Sequence, residues 1–303
     1  MINISLALGG GGTKGFAHIG VIRQLEREGY HVQAVAGTSA GSIIGSLYAT
    51  GTTTAQMETF SRSLKFSEIF DRSQDDAPSL MGLGGLHKML EDKLREKTFS
   101  DTKIPFAATA VDTNSASEII FNKGKLTTAI RASTAVPGIF PAEIIDDMNL
   151  VDGGIMDPVP VTVARWLCPN CPVIAVSLLP EMKNWPEIPR LTVPPYVPIP
   201  HFLIEQFNQL RYGKAAQVFL DSMEIMTNMI ADLKLRLDKP DAILRPAVDH
   251  YTMFDKVDVD ELIQLGEQAV IESKPALDNM MSVSKKMNRW LRINKLPGRL
   301  IEA

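Results

Sequence analysis

Gly9-Gly10-Gly11-Gly12-Thr13-Lys14-Gly15 and, one helix later, Gly37-Thr38-Ser39-Ala40-Gly41 are the two stretches that decide how this chain folds. The first closes the run Ile2-Asn3-Ile4-Ser5-Leu6-Ala7-Leu8, whose apolar character predicts a buried strand. A helical stretch from Phe16 to Glu28 leads to a second strand at His31 to Ala36. After the second motif, Ser42 to Tyr48 continues as a helix. Strands alternating with helices imply a mainly parallel sheet covered by helices on both faces.

Taken alone, Gly10-x-Gly12-x-x-Gly15 also fits a dinucleotide-binding loop. Such a unit carries an acidic residue near the end of its second strand to hold a ribose. This chain has Gly37-Thr38-Ser39-Ala40-Gly41 there, a G-x-S-x-G elbow that lifts a serine onto a sharp strand-to-helix turn. Parallel strands joined by one helix are usually neighbours with a right-handed crossover, so both motifs belong at one carboxyl edge of the sheet. Ser39 is therefore the candidate nucleophile. Backbone N–H groups of Gly10, Gly11, Gly12 and Thr13 are the candidate oxyanion hole, because a helix N-terminus favours negative charge. An α/β-hydrolase uses the same elbow in the order Ser, Asp or Glu, His, and His201 or His250 could complete it. That fold builds several strands before its nucleophile, whereas Ser39 follows only one complete strand and its helix.

Gly10-Gly11-Gly12-Thr13-Lys14-Gly15, Gly37-Thr38-Ser39-Ala40-Gly41 and Asp152-Gly153-Gly154 resemble, in this order, the signature motifs of the patatin-like phospholipases. The block from Arg131 to Pro141 is also similar to a segment preceding that family's aspartate. The resemblance extends to small bacterial members and to the catalytic domain of neuropathy-target-esterase-like lysophospholipases. It implies a three-layer fold and a Ser–Asp dyad, with Ser39 attacking and Asp152 taking the proton. Lys14, Gly15, Gly37, Gly41, Gly153 and Gly154 would support the motifs. It implies no metal and no other cofactor, and a lipid carboxylic ester, phospholipid or lysophospholipid, as substrate. A competing reading is a regulatory or scaffolding protein that keeps the fold without useful turnover; intact Ser39 and Asp152 argue against it.

The resemblance divides the chain into a catalytic core, 1–180, and an addition, 181–303. The addition contains a Pro-rich loop at 185–200, a long helical stretch from Leu203 to about Leu237, and one further strand at Ala242–Arg245. Asp146, Asp147 and Asp157 read as turn and cap residues, and Asp157 before Pro158 suits a helix start. His18 reads as structural support for the glycine loop, and Lys14 as a loop-positioning residue or a holder of a head-group phosphate. Met223, Met226 and Met229 read as core fillers.

Thirty-one basic against 35 acidic side chains leave a net charge of −4, which excludes a global electrostatic case for nucleic acid. No apolar run reaches the roughly 18 residues of a membrane span, and no leader pattern opens the chain. A cytoplasmic location is expected, with peripheral contact at the inner membrane face through the basic, Trp-bearing segment 285–299. Cys168 and Cys171 lack the further ligands that zinc requires and read as a turn before the strand at Val173.

Overall fold

The computed structural model describes residues 2–64, 82–181, 211–282 and 296–303, with backbone alone for 211–217. The Pro-rich loop, His201 and most of 285–299 lie outside the described residues. The strands are β1 (Ile2–Leu8), β2 (Tyr30–Thr38), β3 (Phe106–Asp112), β4 (Ser117–Lys123), β5 (Glu143–Ile145), β6 (Met148–Asp152), β7 (Val173–Val176), β8 (Ala242–Leu244) and β9 (Arg299–Glu302). The helices are α1 (Ala17–Arg27), α2 (Ala40–Ala49), α3 (Thr54–Ser63), α4 (Gly84–Leu94), α5 (Leu126–Thr134), α6 (Val161–Leu167), α7 (Arg211–Asp238), α8 (Val259–Glu272) and α9 (Lys274–Asn279).

One sheet runs β5-β6-β3-β2-β1-β7-β8, with β4 against β3 and β9 against β4. The β1–β2, β1–β7, β2–β3, β4–β9 and β7–β8 pairs are parallel. The β3–β4, β3–β6 and β5–β6 pairs are antiparallel, so the sheet is mainly parallel with an antiparallel flank. Alternation along a strand sends successive side chains to opposite faces. In β1 this puts Ile4, Leu6 and Leu8 into a large core with α1, α2 and α5 residues such as Ile22, Leu47 and Ile130. The opposite face carries Ala7, Ala36, Ala107 and Ala175, short enough for α6 to press close through Val161, Val163 and Ala164. Ser5, buried on that face, donates to the carbonyl of Ala164 at 2.8 Å. Helix, sheet, helix is the resulting layering.

The region after 181 is built into this body. It supplies two strands where one was expected: β8 extends the sheet beyond β7, and β9 joins it through β4. Helix α8 lies across α1 with glycines at the crossing. A Cβ on Gly20 would stand 1.8 Å from the carbonyl oxygen of Ile263, and one on Gly266 2.0 Å from that of Ala17. Backbones this close leave no room for a side chain on either helix. Cys168 and Cys171 are disulfide-bonded to each other in the turn between α6 and β7. Among the described residues no helix is long and apolar enough to cross a membrane.

Asp157 departs from expectation. It does not cap a helix, since α6 begins at Val161 with Pro160 at its N-cap. Instead it is fully buried beside Glu118, with Lys234 Nζ of α7 at 3.5 Å and that ammonium also 3.4 Å from Asp238. Burial first, then the negative charge of Glu118, pushes the Asp157 pKa well up, and Lys234 opposes both. Lys234→Met is therefore expected to destabilise the fold at pH 8 by about 3 kcal/mol, since it strands a buried carboxylate. The deficit should shrink as pH falls toward 5. A carboxyl whose folded pKa is raised incurs its penalty above that pKa and sheds it on protonation. Urea unfolding of both proteins at the two pH values measures this; a deficit that grows on acidification would contradict it.

Candidate active site

Ser39 sits where β2 turns into α2, with φ 53° and ψ −124°, a backbone conformation rare for a residue with a side chain. The flanking glycines make that turn possible. A Cβ on Gly37 would lie 2.4 Å from the carbonyl oxygen of Gly41, and one on Gly41 2.1 Å from that of Leu8. Hydrogen bonds hold the strained residue from both sides. Its N–H donates to Ser133 Oγ at 3.0 Å, and its carbonyl accepts from Ser42 Oγ at 2.7 Å. One residue earlier, Thr38 Oγ1 donates to the carbonyl of Asp157 at 2.8 Å and lies 2.7 Å from Thr109 Oγ1. Ser133 belongs to the quoted Arg131–Pro141 block, but nothing in the residue type distinguished it there.

Strand β3 brings the aspartate to the serine. Its Thr109 pairs with Thr38, the last residue of β2, and its next residue, Ala110, pairs with Asp152, the last of β6. The two strands thus end facing each other along β3. Asp152 is buried and anchored: its N–H donates to the carbonyl of Ala135 at 2.9 Å, and its Oδ1 accepts from the N–H of Gly154 at 2.7 Å. Burial raises its pKa to about 6, against the pull of hydrogen bonds from the Ser39 hydroxyl and the Gly154 N–H. A carboxylate held at this pKa is a better proton acceptor near neutrality than one at about 3.9.

The glycine loop lies alongside. Of its four expected donors, two are committed elsewhere: Gly10 N–H to the carbonyl of Pro158 at 3.0 Å, and Thr13 N–H to that of Met253 at 2.9 Å. That narrows the candidate hole to Gly11 and Gly12, whose N–H groups have no backbone acceptor among the described residues. Gly12 has φ +60°, and a Cβ there would stand 2.0 Å from the Met253 carbonyl oxygen. His18 is fully buried, and its Nε2 donates to the carbonyl of Gly9 at 2.8 Å, tying α1 to the start of the loop. Burial lowers its pKa to about 4, so it is neutral at pH 7.

Two cavities meet at Ser39. One, of about 120 Å³, is walled by apolar groups including Phe16, Ile43, Leu47, Phe140 and Phe254. The other, of about 90 Å³, contains Gly10, Gly11, Lys14 and Asp152, with Leu220, Met223, Glu224 and Thr227 from α7. Lys14 is buried; desolvation lowers its pKa, and the carboxylates of Glu224, Asp249 and Asp255 raise it. Glu224 carried no sequence signal, since only docking of α7 brings it to the site. Met223 reaches this cavity, while Met226 and Met229 are exposed rather than filling a core. Among the described residues no group of three or more His, Cys, Asp or Glu side chains is arranged to hold a metal.

Fold and site together define a class: layered α/β proteins with a serine on a strand–helix elbow, a glycine loop beside it and a buried aspartate opposite. Within that class the chain belongs to the patatin-like phospholipase family, whose model matches residues 6–165. It is 36% identical over 178 residues to an NTE family protein of Mycobacterium tuberculosis, a match covering 58% of this chain and 49% of that protein. It is 32% identical over 169 residues to a lysophospholipase of Mycosarcoma maydis, covering 54% of this chain and 9% of that one. Patatin-like phospholipase domain-containing protein 6 of Homo sapiens is 29% identical over 169 residues, covering 54% of this chain and 12% of that protein. The chain thus spans about half the length of the mycobacterial relative and smaller shares of the others. Among solved structures, VipD of Legionella pneumophila aligns with a TM-score of 0.53 at 12% identity, covering 91% of this chain and 66% of that chain, a likeness of fold alone.

Proposed function

We propose that this protein hydrolyses carboxylic esters of lipids through an acyl-enzyme on Ser39, with Asp152 as the only base. The observation that carries this reading is the strained Ser39 set with the buried Asp152 carboxylate where an apolar cavity meets one that also holds Lys14 and Glu224. Asp152 takes the Ser39 proton as Oγ attacks the ester carbonyl. The Gly11 and Gly12 N–H groups receive the oxyanion, and the leaving alcohol departs with the proton from Asp152. Water, deprotonated by Asp152, then releases the fatty acid. The acyl chain occupies the apolar cavity, and the head group lies beside Lys14, whose ammonium suits a phosphate.

The surroundings of three of the five histidines agree with a dyad. Nε2 of His18 is engaged with Gly9, His250 is exposed beside Glu261, and His31 lies near the start of β2, at the strand end remote from Ser39. A fluorophosphonate probe tests the proposal directly: it should label the native protein and not Ser39→Ala. Absence of labelling in the folded native protein would favour the regulatory reading instead.

Asp152 must be ionised to act, and its pKa is raised to about 6. kcat/KM for a soluble short-chain ester should therefore rise through an acid limb centred near pH 6 and level off above it. A limb centred near pH 4 would mean that burial does not tune the base.

A further inference from the structure

Helix α7 is apolar on the side it turns away from the protein. Its exposed residues from 218 onward within the helix are Val218, Phe219, Ser222, Ile225, Met226, Met229, Leu233, Arg236 and Leu237. At 100° per residue these nine positions fall within an arc of about 120°, and at 1.5 Å per residue the stripe is about 29 Å long. Seven of the nine are large apolar side chains, each 39–74% exposed. Soluble proteins rarely leave so continuous an apolar surface to water without a partner for it.

The inward face of the same helix belongs to the site, since Leu220, Met223, Glu224 and Thr227 line the cavity that holds Ser39 and Asp152. At its N-terminal end the stripe also abuts the loop carrying Val136, Pro137, Ile139 and Phe140, residues that line one or both cavities. A Cβ on Gly138 of that loop would stand 3.9 Å from the Phe219 ring. What covers the stripe therefore lies against the walls of the cavity. Between Val218 and Leu237 the one charged residue on the arc is Arg236; at one margin stand Asp221 and Asp232, the latter 3.4 Å from the Arg245 guanidinium. One cation along this stretch gives little attraction to an anionic surface. The stripe suits apolar insertion into lipid of no net charge.

We infer that α7 is the membrane-docking element of this protein, lying in the plane of a zwitterionic lipid surface with the Val218–Leu237 stripe immersed. The inference rests on the reading of the Ser39 site as a lipid-ester hydrolase and places the membrane contact on a different element from the expected segment 285–299. It also gives the site a route to its substrate, because the helix that touches lipid on one side walls the cavity holding Ser39 and Asp152 on the other.

The test uses the full chain carrying Ser39→Ala, so that binding is measured without turnover, and phosphatidylcholine vesicles. The protein should sediment with these vesicles equally well at low and high salt, since apolar insertion is not screened. Met229→Asp together with Leu233→Asp should lower the partition coefficient by about tenfold or more, and the milder pair Phe219→Ala and Met226→Ala by about threefold. In chains that keep Ser39, both pairs should retain native circular dichroism and full hydrolysis of a soluble short-chain ester. Failure of the parent to bind phosphatidylcholine vesicles, or equal binding by the Asp pair, would overturn the inference. So would a dimer in solution that the Asp pair dissolves, because a second copy would then own the stripe. If the native protein hydrolyses no ester while vesicle binding follows the stated pattern, the reading of the site fails and the docking surface stands.

Discussion

Ser39→Ala should leave a folded protein whose turnover has fallen by a factor approaching about 10⁶, the loss seen when a serine protease is deprived of its nucleophile. Asp152→Asn should fall nearly as far, because in a dyad the carboxylate is the sole acceptor of the serine proton. Asn keeps the shape and the bond from Gly154 N–H while removing the basicity. The discriminating comparison is with the histidines. Asn at 18, 87, 201 or 250 should reduce kcat far less than either dyad substitution. His18→Asn should be the costliest of the four, through the lost bond to the Gly9 carbonyl. In a triad the histidine relays the proton, and removing it costs about as much as removing the serine. One folded histidine variant as inactive as Ser39→Ala would restore the triad. Steady-state kinetics on a soluble ester, with circular dichroism as the control for folding, measures all six.

The second large effect belongs to the glycine loop. Gly12→Val demands a β-branched residue at φ +60° with its Cβ 2.0 Å from the Met253 carbonyl oxygen, so the loop must move. Its movement displaces the two N–H groups free to meet an oxyanion. Losing one such donor costs about 3 kcal/mol, or 10²–10³ in kcat. The loss should fall on kcat with KM little changed, because the charge that the donors stabilise develops only in the transition state. A Gly12→Val protein with native stability and full kcat would remove the loop from the mechanism. Gly11 has a softer constraint, since a Cβ there meets the Leu178 side chain at 2.9 Å rather than a carbonyl. Gly11→Ala should accordingly lose less than Gly12→Val.

Much of the site was legible because its rules are local. A glycine run after a strand and a G-x-S-x-G after the next announce a loop and an elbow, since only glycine fits the close approaches found at Gly37 and Gly41. The strands β1, β2 and β8 were expected close to their observed bounds, and β7 at its first residue, because buried strands write themselves as apolar runs. The hairpin of β5 and β6 was less visible. Met148-Asn149-Leu150-Val151 is short and mixed, and its pairing with β3 is a long-range choice. β9 was missed for the same reason: Arg299-Leu300-Ile301-Glu302 has no pattern until β4 offers it an edge.

What the sequence determined by itself was therefore the family, the elbow and the order in which the motifs arrive. Tertiary structure decided which groups are free to act and what surrounds them. It set β2 and β6 end to end on adjacent residues of β3, which is why residues as distant in the chain as Ser39 and Asp152 meet. It committed the N–H groups of Gly10 and Thr13 to the carbonyls of Pro158 and Met253, leaving Gly11 and Gly12 as the candidate oxyanion donors. It buried Asp157 against Lys234 where a local turn rule expected a cap, and it turned one face of α7 to the site and the other to solvent. The physical reason is the same in each case. Steric limits on φ and ψ act between neighbours and are written in residue types, whereas desolvation and hydrogen-bond pairing depend on which distant segment arrives to share the space.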